Sequence, residues 1–465
     1  KLFDGVKRVW IARGGHQELE KKVGRRDDLV NKLENATNSY IRDAVNAVKK
    51  LKKKSPEVAI SSDITKYVAA EKRPTHKKKP IIGPKYDTID YAKEQIPILN
   101  KEIEDLQADN INAAPFNSVF VEFESQYQAQ VASQVATYHV PLALTPAYVG
   151  IEPTDVVWLN MRMFWWERIV RNLAAIAIII ALLLFWSIPV TFIGMISNVN
   201  YLMEKLPWLS FLKHLPEDLF GLLTSMAPTI ALAWLMSFLP TFIRMVAKFN
   251  GCASLQLVEY FAQQSYFGFQ VIQVFLVTTL ASAATSTAAQ IVEEPTSAME
   301  LLASNLPKSS NFFISYIILN GMSISSGALA QIIPLFFFYI FGYLFDKTPR
   351  KKWARFTDLD APGWGTIFPI YTNLAVIIFA YSVISPIILL FGAVGFFLLY
   401  VAYLYILTYV QKEAPDLRGA CYPRALFQTI VGVYLGQVCL LGLFAVGKGW
   451  GPIVLQIIGL VVTVL

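Results

Sequence analysis

Charged residues are scarce in this sequence, and so are cysteines and histidines. Asp, Glu, Lys and Arg make up 16% of the 465 residues, against about 25% in a typical soluble domain, which argues against an all-soluble enzyme. The three cysteines are an odd number at no metal-like spacing, and the four histidines are scattered. Neither a disulfide framework nor a metal site is therefore indicated.

Motifs that carry enzyme chemistry are also missing from the sequence. We find no nucleophile elbow, phosphate-binding glycine loop, HExxH motif or EF-hand loop. The sequence therefore favours neither an enzyme nor an ATP-driven pump, and it indicates no cofactor. No charged residue lies deep in a hydrophobic segment, which weakens the case for a proton-coupled transporter, because such proteins use buried ionisable relays.

The residues that are present divide the chain into two parts. Residues 1–159 hold 24 of the 41 Lys and Arg and 21 of the 34 Asp and Glu, whereas hydrophobic residues, 54% of the whole, dominate the remainder. This predicts a cytosolic domain over 1–160 followed by a membrane domain over 161–465. Because the chain starts at Lys1 without Met and ends inside an apolar run, we expect it to be part of a longer protein.

Eight apolar segments are candidates for helices that cross a bilayer, which takes about 20 residues. They are 169–198, 219–247, 260–292, 311–345, 366–385, 390–410, 425–447 and 451–465, the last incomplete. With residues 1–160 in the cytosol, the cytosolic connections carry 13 Lys and Arg and the opposite connections carry 4. Cationic loops favour the cytosolic side, so this orientation and an all-α multi-pass membrane domain are predicted.

The first 160 residues alternate between strand-like and helix-like patterns. Strands are predicted at 6–12 and 117–123, and helices at 17–54, 88–108 and 124–138, with a loop over 55–80. The apolar spacing is close to two residues in the strands and close to 3.6 in the helices. The β-α-α-β-α order predicts a small α+β domain.

Two stretches of this domain have features of binding sites. SVFVEF at 118–123 resembles half of an RNA-recognition strand, but residues 114–118 lack the basic and glycine residues that precede it in that motif. We therefore expect no nucleic-acid binding. The run Lys77–Lys79 is interpreted as a solvated loop, with attraction to anionic lipid headgroups as the alternative.

Uncharged polar side chains concentrate on the third, fourth and fifth membrane segments. Hydroxyl and amide groups can replace part of an ion's hydration shell, so we predict that a set of them lines a pore: Gln273, Thr278, Ser282, Asn320, Ser323 and Tyr371. Hydrogen-bonded packing between helices is the alternative reading. Packing is the favoured interpretation of Gly432 and Gly436, which form a GxxxG pair.

Several stretches resemble one known family closely. They are NSVFVEFESQYQAQVA at 117–132, IEPTDVVWLNM at 151–161, RIVRNLAAIAIIIALLLFWSIPVTFIGMISN at 168–198, LPTFIRMVAKFNG at 239–251, FGFQVIQVFLV at 267–277, LPKSSNFFISYIILNG at 306–321 and YPRALFQTIVGVYLG at 422–436. Together they resemble the calcium-permeable, stress-gated (hyperosmolality-gated, mechanosensitive) cation channels, in particular the fungal members, over nearly the whole chain.

This resemblance implies an architecture beyond what the chain itself contains. It implies an eleven-span fold related to the anoctamins, with three spans upstream of Lys1, and an RNA-recognition-like cytosolic domain that does not bind RNA. It further implies a pore within each subunit and a narrow neck, for which Phe312 is a candidate together with Phe269 and Tyr316. A homodimer is one possible assembly.

The resulting functional hypothesis is a non-selective, calcium-permeable cation channel opened by membrane tension. Gly321, Gly327 and Pro334 are candidate hinges, with close helix packing as the alternative for the glycines. Membrane lipids and permeant cations are the expected partners, and the plasma membrane is the expected location, with vacuolar or other internal membranes as the alternative. A lipid scramblase and a non-conducting membrane scaffold are the competing hypotheses.

Overall fold

The computed structural model describes residues 5–14, 16–54, 63–68, 73–77, 85–135, 139–140, 146–190, 217–277, 297–414 and 416–464. Two compact units divide the chain. The first comprises residues 1–135 and 331–359, and the second comprises residues 136–330 and 360–465.

The amino-terminal part of the first unit has the predicted order of strands and helices. Its elements are β1 Val6–Arg13, α1 His16–Lys54, β2 Thr75–Lys77, β3 Lys85–Asp87, α2 Thr88–Asn110, β4 Pro115–Phe123 and α3 Gln126–Gln134. The two longer strands and the three helices confirm the sequence prediction. The prediction of a loop over 55–80 was wrong at β2, because a three-residue strand is too short to show an alternating pattern.

Packing between α1 and α2 forms the buried centre of this unit. Leu29 and Ala36 of α1 are buried, and so are Leu99 and Ile103 of α2. Leu29 and Ala36 are seven residues apart, and Leu99 and Ile103 are four residues apart, so each pair lies on one face of its helix. The Asp87 side chain accepts hydrogen bonds from the backbone at Ile89 and Asp90 and so caps the start of α2.

The strands pair in two separate ribbons. β1 and β4 are antiparallel, with Val9 opposite Val121 and Ile11 opposite Val119, and β2 pairs with β3. Burial alternates along β4, so Val119 and Val121 share one face of the strand. Among the described residues, each sheet therefore has two strands, without the four-stranded sheet of an RNA-recognition fold.

Helices make up most of the remaining chain. They are α4 Trp165–Phe185, α5 Glu217–Asn250, α6 Leu255–Phe269, α7 Ser297–Ala330, α8 Ile332–Phe345, α9 Pro349–Thr357, α10 Trp364–Tyr381, α11 Ile387–Tyr409, α12 Cys421–Val446 and α13 Trp450–Val464. α8 and α9 belong to the first unit and the others to the second. Within the described part of the chain, five stretches are long and apolar enough to cross a membrane: α4, residues 309–330 of α7, α10, α11 and α12.

The predicted bounds of two membrane segments were wrong. The segment 311–345 is not one helix, because the chain breaks at Gln331, between α7 and α8. The segment 260–292 starts earlier, at Leu255, and α6 passes into a π-helix over Gln270–Val277. Residues 278–292 lie outside the described part of the chain.

Glycines bring α12 and α10 close together. A Cβ atom added at Gly432 would lie 2.6 Å from the Cα atom of Val376, and one added at Gly436 would lie 3.2 Å from the Cα atom of Ala380. Such a separation leaves no room for a side chain, so the prediction that this GxxxG pair serves packing is confirmed.

Candidate functional site

An aromatic series links α4, α6 and α7 in the second unit. The rings of Trp186, which follows α4 directly, and Phe269 meet edge to face with their centroids 5.0 Å apart. Phe269 in turn stacks on Tyr266 at 6.3 Å. On α7, Phe312 stacks on Tyr316 at 6.2 Å, and the ring centroid of Phe313 lies 5.7 Å from that of Phe275 in the π-helix that continues α6. The three predicted neck residues thus lie in ring contacts on α6 and α7, together with Trp186 and Tyr266, which sequence reasoning missed.

The members of this series differ in exposure. Phe269 is fully buried, whereas Phe312 is 50% exposed and Tyr316 is half-buried. The edge of Phe312 meets Phe313 at 5.2 Å, and Phe313 is fully buried. Phe269 therefore holds helices together by burial, while Phe312 and Tyr316 present rings on the less covered side of α7.

Two predicted pore-lining side chains connect neighbouring helices. The Gln273 Nε2 atom donates to the Leu183 carbonyl of α4 at 2.5 Å. The Tyr371 hydroxyl of α10 donates to the Tyr403 hydroxyl of α11 at 2.6 Å. Each of these polar groups is satisfied by a helix contact. The predicted residues Thr278 and Ser282 lie outside the described residues.

The other two predicted pore-lining residues lie on α7. The Asn320 Nδ2 atom donates to the Tyr316 carbonyl of the same helix at 2.8 Å, and Ser323 is exposed. Ser323 shares its side of the helix with three more exposed polar residues, and we call these four the open face of α7: Asn311, Ser315, Ser323 and Ser326. All four fall within a sector of about 120° on a helix of 3.6 residues per turn.

Hydrogen bonding within α7 orients two of the open-face hydroxyls. The Ser315 Oγ atom donates to the Asn311 carbonyl at 3.0 Å, and the Ser326 Oγ atom donates to the Ser323 carbonyl at 3.2 Å. Because each hydroxyl hydrogen is used inside the helix, the oxygen lone pairs are what the exposed side presents. Such a surface suits a cation better than an anion.

The three candidate hinges occupy different environments. Gly321 is buried, and a Cβ atom there would lie 3.0 Å from the Cα atom of Gly395 on α11. Gly327 has open space around it, and Pro334 lies in the first turn of α8. The helix break itself falls at Gln331, whose φ of 50° and ψ of 29° are left-handed. This residue was missed, since its sequence signal is weak.

Changing Gln331 tests whether this break is a strained element. A β-branched side chain in the left-handed region is a genuine outlier, so Gln331→Val is expected to destabilise the protein by about 1–2 kcal/mol. Thermal unfolding of the purified protein in detergent measures the effect. Gln331→Asn, which tolerates this conformation, should behave like the wild type; equal melting of the two variants would contradict the expectation.

A charge pair joins α5, α6 and α10. The Arg244 Nε atom donates to Glu259 Oε1 at 2.5 Å, and its Nη2 atom donates to Glu259 Oε2 at 3.1 Å and to Thr366 Oγ1 at 2.9 Å. The Gly365 backbone nitrogen also donates to Glu259 Oε2, at 3.0 Å. The sequence analysis counted Arg244 only among the cationic residues of the cytosolic connections and missed its pairing with Glu259. The two opposite charges lie on either side of the short connection between α5 and α6, and this arrangement could have indicated the pair.

Buried amides form a second polar contact, between α6, α10 and α12. Gln263 is completely buried, and its Nε2 atom donates to the Cys421 carbonyl at 3.0 Å. The Thr372 hydroxyl donates to Gln428 Oε1 at 3.1 Å, and Gln428 Nε2 donates to the Gln263 carbonyl at 3.4 Å. These bonds connect three helices through buried polar groups and so fix their register, although Gln263 Oε1 has no hydrogen-bond partner among the described residues.

Groups of three or more His, Cys, Asp or Glu side chains that could hold a metal ion are absent from the described residues. Long apolar helices, an open polar face on one of them and a separate domain with α and β elements together define a multi-pass membrane protein with a cytosolic domain.

Comparison with known families identifies the class more closely. The chain matches the family model for the calcium-dependent channel 7TM region over residues 171–444. It also matches the model for the cytosolic domain of proteins described as 10TM phosphate transporters, over residues 1–160. The description of the first model also mentions phosphate. The chain belongs to this calcium-dependent channel family, as the sequence resemblance predicted.

Individual relatives cover nearly the whole chain. "Uncharacterized protein RSN1" of Saccharomyces cerevisiae is 63% identical over 100% of this chain and 49% of its own length. "Phosphate metabolism protein 7" of the same yeast is 43% identical over 87% of this chain and 41% of its own length. "Calcium permeable stress-gated cation channel 1" of Schizosaccharomyces pombe is 24% identical over 80% of this chain and 46% of its own length. The chain thus spans about half the length of the relatives it matches.

Proposed function

We propose that the full-length protein is a calcium-permeable, non-selective cation channel opened by membrane tension, with the pathway inside each subunit along α6, α7 and α10. We also propose that the protein forms a homodimer in the plasma membrane. A pore inside each subunit could conduct whether or not this dimer forms. The relatives named as stress-gated or hyperosmolality-gated calcium-permeable channels support this function.

The observation that carries the proposal is the open face of α7. Four uncharged polar residues are exposed along a helix whose residues 309–330 are otherwise apolar enough to cross a membrane. Oxygen lone pairs on this face replace part of a cation's hydration shell. Asn320 on α7 and Gln273 and Tyr371 on the flanking elements supply further oxygens, because the hydrogen bonds described above use their N–H and O–H groups. Thr278 and Ser282 continue the polar pattern of α6 in the sequence.

The proposed gate lies at the aromatic series. Phe312 and Tyr316 stand on the same side of α7 as the polar face and constrict the pathway, with Phe269 fixing α6 behind them. An apolar constriction closes by excluding water and conducts once it is wetted. Tension favours the state with the larger in-plane area, as a ligand favours the state that it binds better. Bending at Gln331, where α7 ends and α8 begins, is the proposed movement, with Gly327 and Pro334 on either side.

Tension-evoked current tests the proposal directly. The full-length protein is reconstituted in liposomes, and excised patches are stretched by suction in asymmetric potassium, calcium and phosphate solutions. We expect a cation-selective current that rises with suction and carries calcium. The variant Ser315→Ala/Ser323→Ala/Ser326→Ala should lower the single-channel conductance, because three oxygens are removed from the exposed face.

Matched controls separate pore lining from a general effect on helices. Thr408 of α11 and Thr429 of α12 are also exposed hydroxyls that donate to their own helix, to Leu404 and Leu426 respectively. Thr408→Ala/Thr429→Ala should leave the conductance unchanged. Absence of any current under tension, a phosphate current, or movement of fluorescent lipid between leaflets without an ion current would refute the channel proposal. An equal loss of conductance in the control variant would refute the assigned pathway.

A further inference from the structure

The short helix α9 and the connection before it expose an unusual combination of cationic and aromatic side chains. Trp353 is 68% exposed and Phe356 is 70% exposed. The same stretch carries five Lys and Arg in the sequence DKTPRKKWARFT. Two large rings left open to solvent on a nine-residue helix, within a cationic segment, are typical of a surface that meets a membrane interface.

The aromatic and cationic residues have a defined arrangement on α9. Trp353 and Phe356 are three positions apart and so lie on one face. Lys352 is exposed beside them, while Ala354 and Arg355 on the opposite side are partly buried. The helix therefore has one side that packs on the protein and one side that presents two rings flanked by an ammonium group.

Contacts inside the first unit hold α9 in this orientation. The Thr348 hydroxyl accepts a hydrogen bond from the backbone nitrogen of Lys351 at 3.3 Å and so caps the start of α9. Arg355 pairs with Asp346, with Nη2 donating to Oδ1 at 3.1 Å. Hydrogen bonding from Arg355 lowers the pKa of Asp346 below its ordinary value, which favours the ionised carboxylate that Arg355 pairs with. Arg350 pairs with Glu34 of α1 at 2.7 Å.

These pairs leave part of the positive charge uncompensated. Residues 346–360 contain five Lys and Arg and three Asp. Arg355 and Arg350 are paired with Asp346 and Glu34. Lys347, Lys351 and Lys352 remain without an ion pair within 4 Å among the described residues, and Asp358 and Asp360 lie past the end of α9. Lys352 therefore lies beside the exposed rings, Lys347 is exposed in the connection before α9, and Lys351 is half-buried.

The helix before α9 places this surface at the edge of a bilayer. α8 is apolar on all sides, and its large side chains are exposed all round, among them Ile333, Phe336, Tyr339 and Phe345. A helix of this kind needs lipid around it. Asp346, Lys347 and Thr348 separate α8 from α9. The rings of α9 therefore follow the end of an apolar segment by eight and eleven residues.

We propose that Lys347, Lys351 and Lys352, together with Trp353 and Phe356, form a binding site for anionic phospholipid headgroups in the cytosolic leaflet. Trp and other aromatic side chains settle at the headgroup level, where their apolar and polar parts are both satisfied. Lysines next to a membrane are attracted by anionic lipids. A free phosphate ion would use the lysines but not the rings, which is why a membrane surface fits this side of α9 better.

Lipid binding by the full-length protein tests the proposal. Purified protein is titrated with phosphatidylserine or phosphatidylcholine in mixed micelles, and bound lipids are counted by native mass spectrometry. We expect Lys351→Gln/Lys352→Gln to weaken phosphatidylserine binding about 25-fold, since each lysine near an anionic surface contributes about fivefold. Trp353→Ala/Phe356→Ala should weaken the binding of both lipids.

The chain offers a control of equal charge. Lys52 and Lys53 are exposed at the end of α1, so Lys52→Gln/Lys53→Gln removes the same charge elsewhere and should leave phosphatidylserine binding at the wild-type level. Wild-type affinity in Lys351→Gln/Lys352→Gln would overturn the proposal. So would unchanged phosphatidylserine binding in Trp353→Ala/Phe356→Ala, because the lysines would then bind a free anion rather than a membrane. Amide hydrogen exchange of residues 349–357, slower in phosphatidylserine than in phosphatidylcholine nanodiscs, checks the location.

Discussion

Replacement of Glu259 by alanine is expected to lower the free energy of unfolding by about 2–3 kcal/mol. Breaking a fully buried pair costs about 3–5 kcal/mol, because the remaining charge is left without a partner. The value is smaller here since 29% of the Arg244 side chain and 17% of the Glu259 side chain remain exposed. Glu259→Ala also removes the acceptor of the Gly365 nitrogen. Thermal unfolding of purified protein in a single detergent measures the change.

Two comparisons show whether burial causes this effect. Glu259→Gln keeps an oxygen that can accept from Arg244 and Gly365. Its free energy of unfolding should therefore lie between those of the wild type and Glu259→Ala. Glu122 forms a surface pair with Lys7 at 3.2 Å, with side chains 36% and 56% exposed, so Glu122→Ala should cost less than about 1 kcal/mol. If both alanine variants melt alike, the pair does not hold α5, α6 and α10 together.

Replacement of Gly432 by leucine is expected to prevent normal packing of α12 on α10. Even a methyl group at this position would lie 2.6 Å from the Cα atom of Val376 and 3.0 Å from its carbonyl oxygen. Backbone atoms cannot move aside as a side chain can, so the helices must separate. Overpacking of this kind typically costs about 1–3 kcal/mol, and Gly432→Ala should already show part of it. Melting temperature and the yield of monodisperse protein are the measurements.

A glycine in open surroundings serves as the control for Gly432. Gly459 on α13 has no heavy atom within 4 Å of an added Cβ atom. Gly459→Ala should therefore raise stability by up to about 1 kcal/mol, since alanine loses less backbone entropy than glycine in a helix. Stability of Gly432→Ala equal to that of Gly459→Ala would mean that α10 and α12 are not in close contact.

Local patterns predicted the long elements of the first unit within a few residues. Leu29 and Ala36 on α1, and the alternation along β4, follow from spacings of about 3.6 and 2 residues, which are properties of neighbouring positions in the chain. The ribbon of β2 and β3 was missed because each strand has three residues. Its pairing of Thr75 with Asp87 depends on chain partners that no local pattern reveals.

The candidate site could be predicted less completely. Sequence reasoning selected Phe269, Phe312 and Tyr316, and the structure places each of them in a ring contact. It kept helix packing open as the alternative for Gln273 and Tyr371, which bond to adjacent helices. It did not foresee that the helix break falls at Gln331 rather than at a nearby glycine or proline. A hydrogen-bond partner on another helix is fixed by packing, whereas glycine and proline show only where bending is cheap.

The sequence by itself determined the class of this protein: apolar length, the distribution of cationic loops and the periodic patterns of residues 1–160 establish a membrane domain attached to a cytosolic domain. Tertiary structure alone decided which polar groups are consumed by helix contacts, as at Gln273, and which remain exposed, as at Ser323. The reason is physical. Crossing a membrane depends on the summed transfer free energy of a segment, which is local, whereas the exposure of one side chain depends on which helix packs against it.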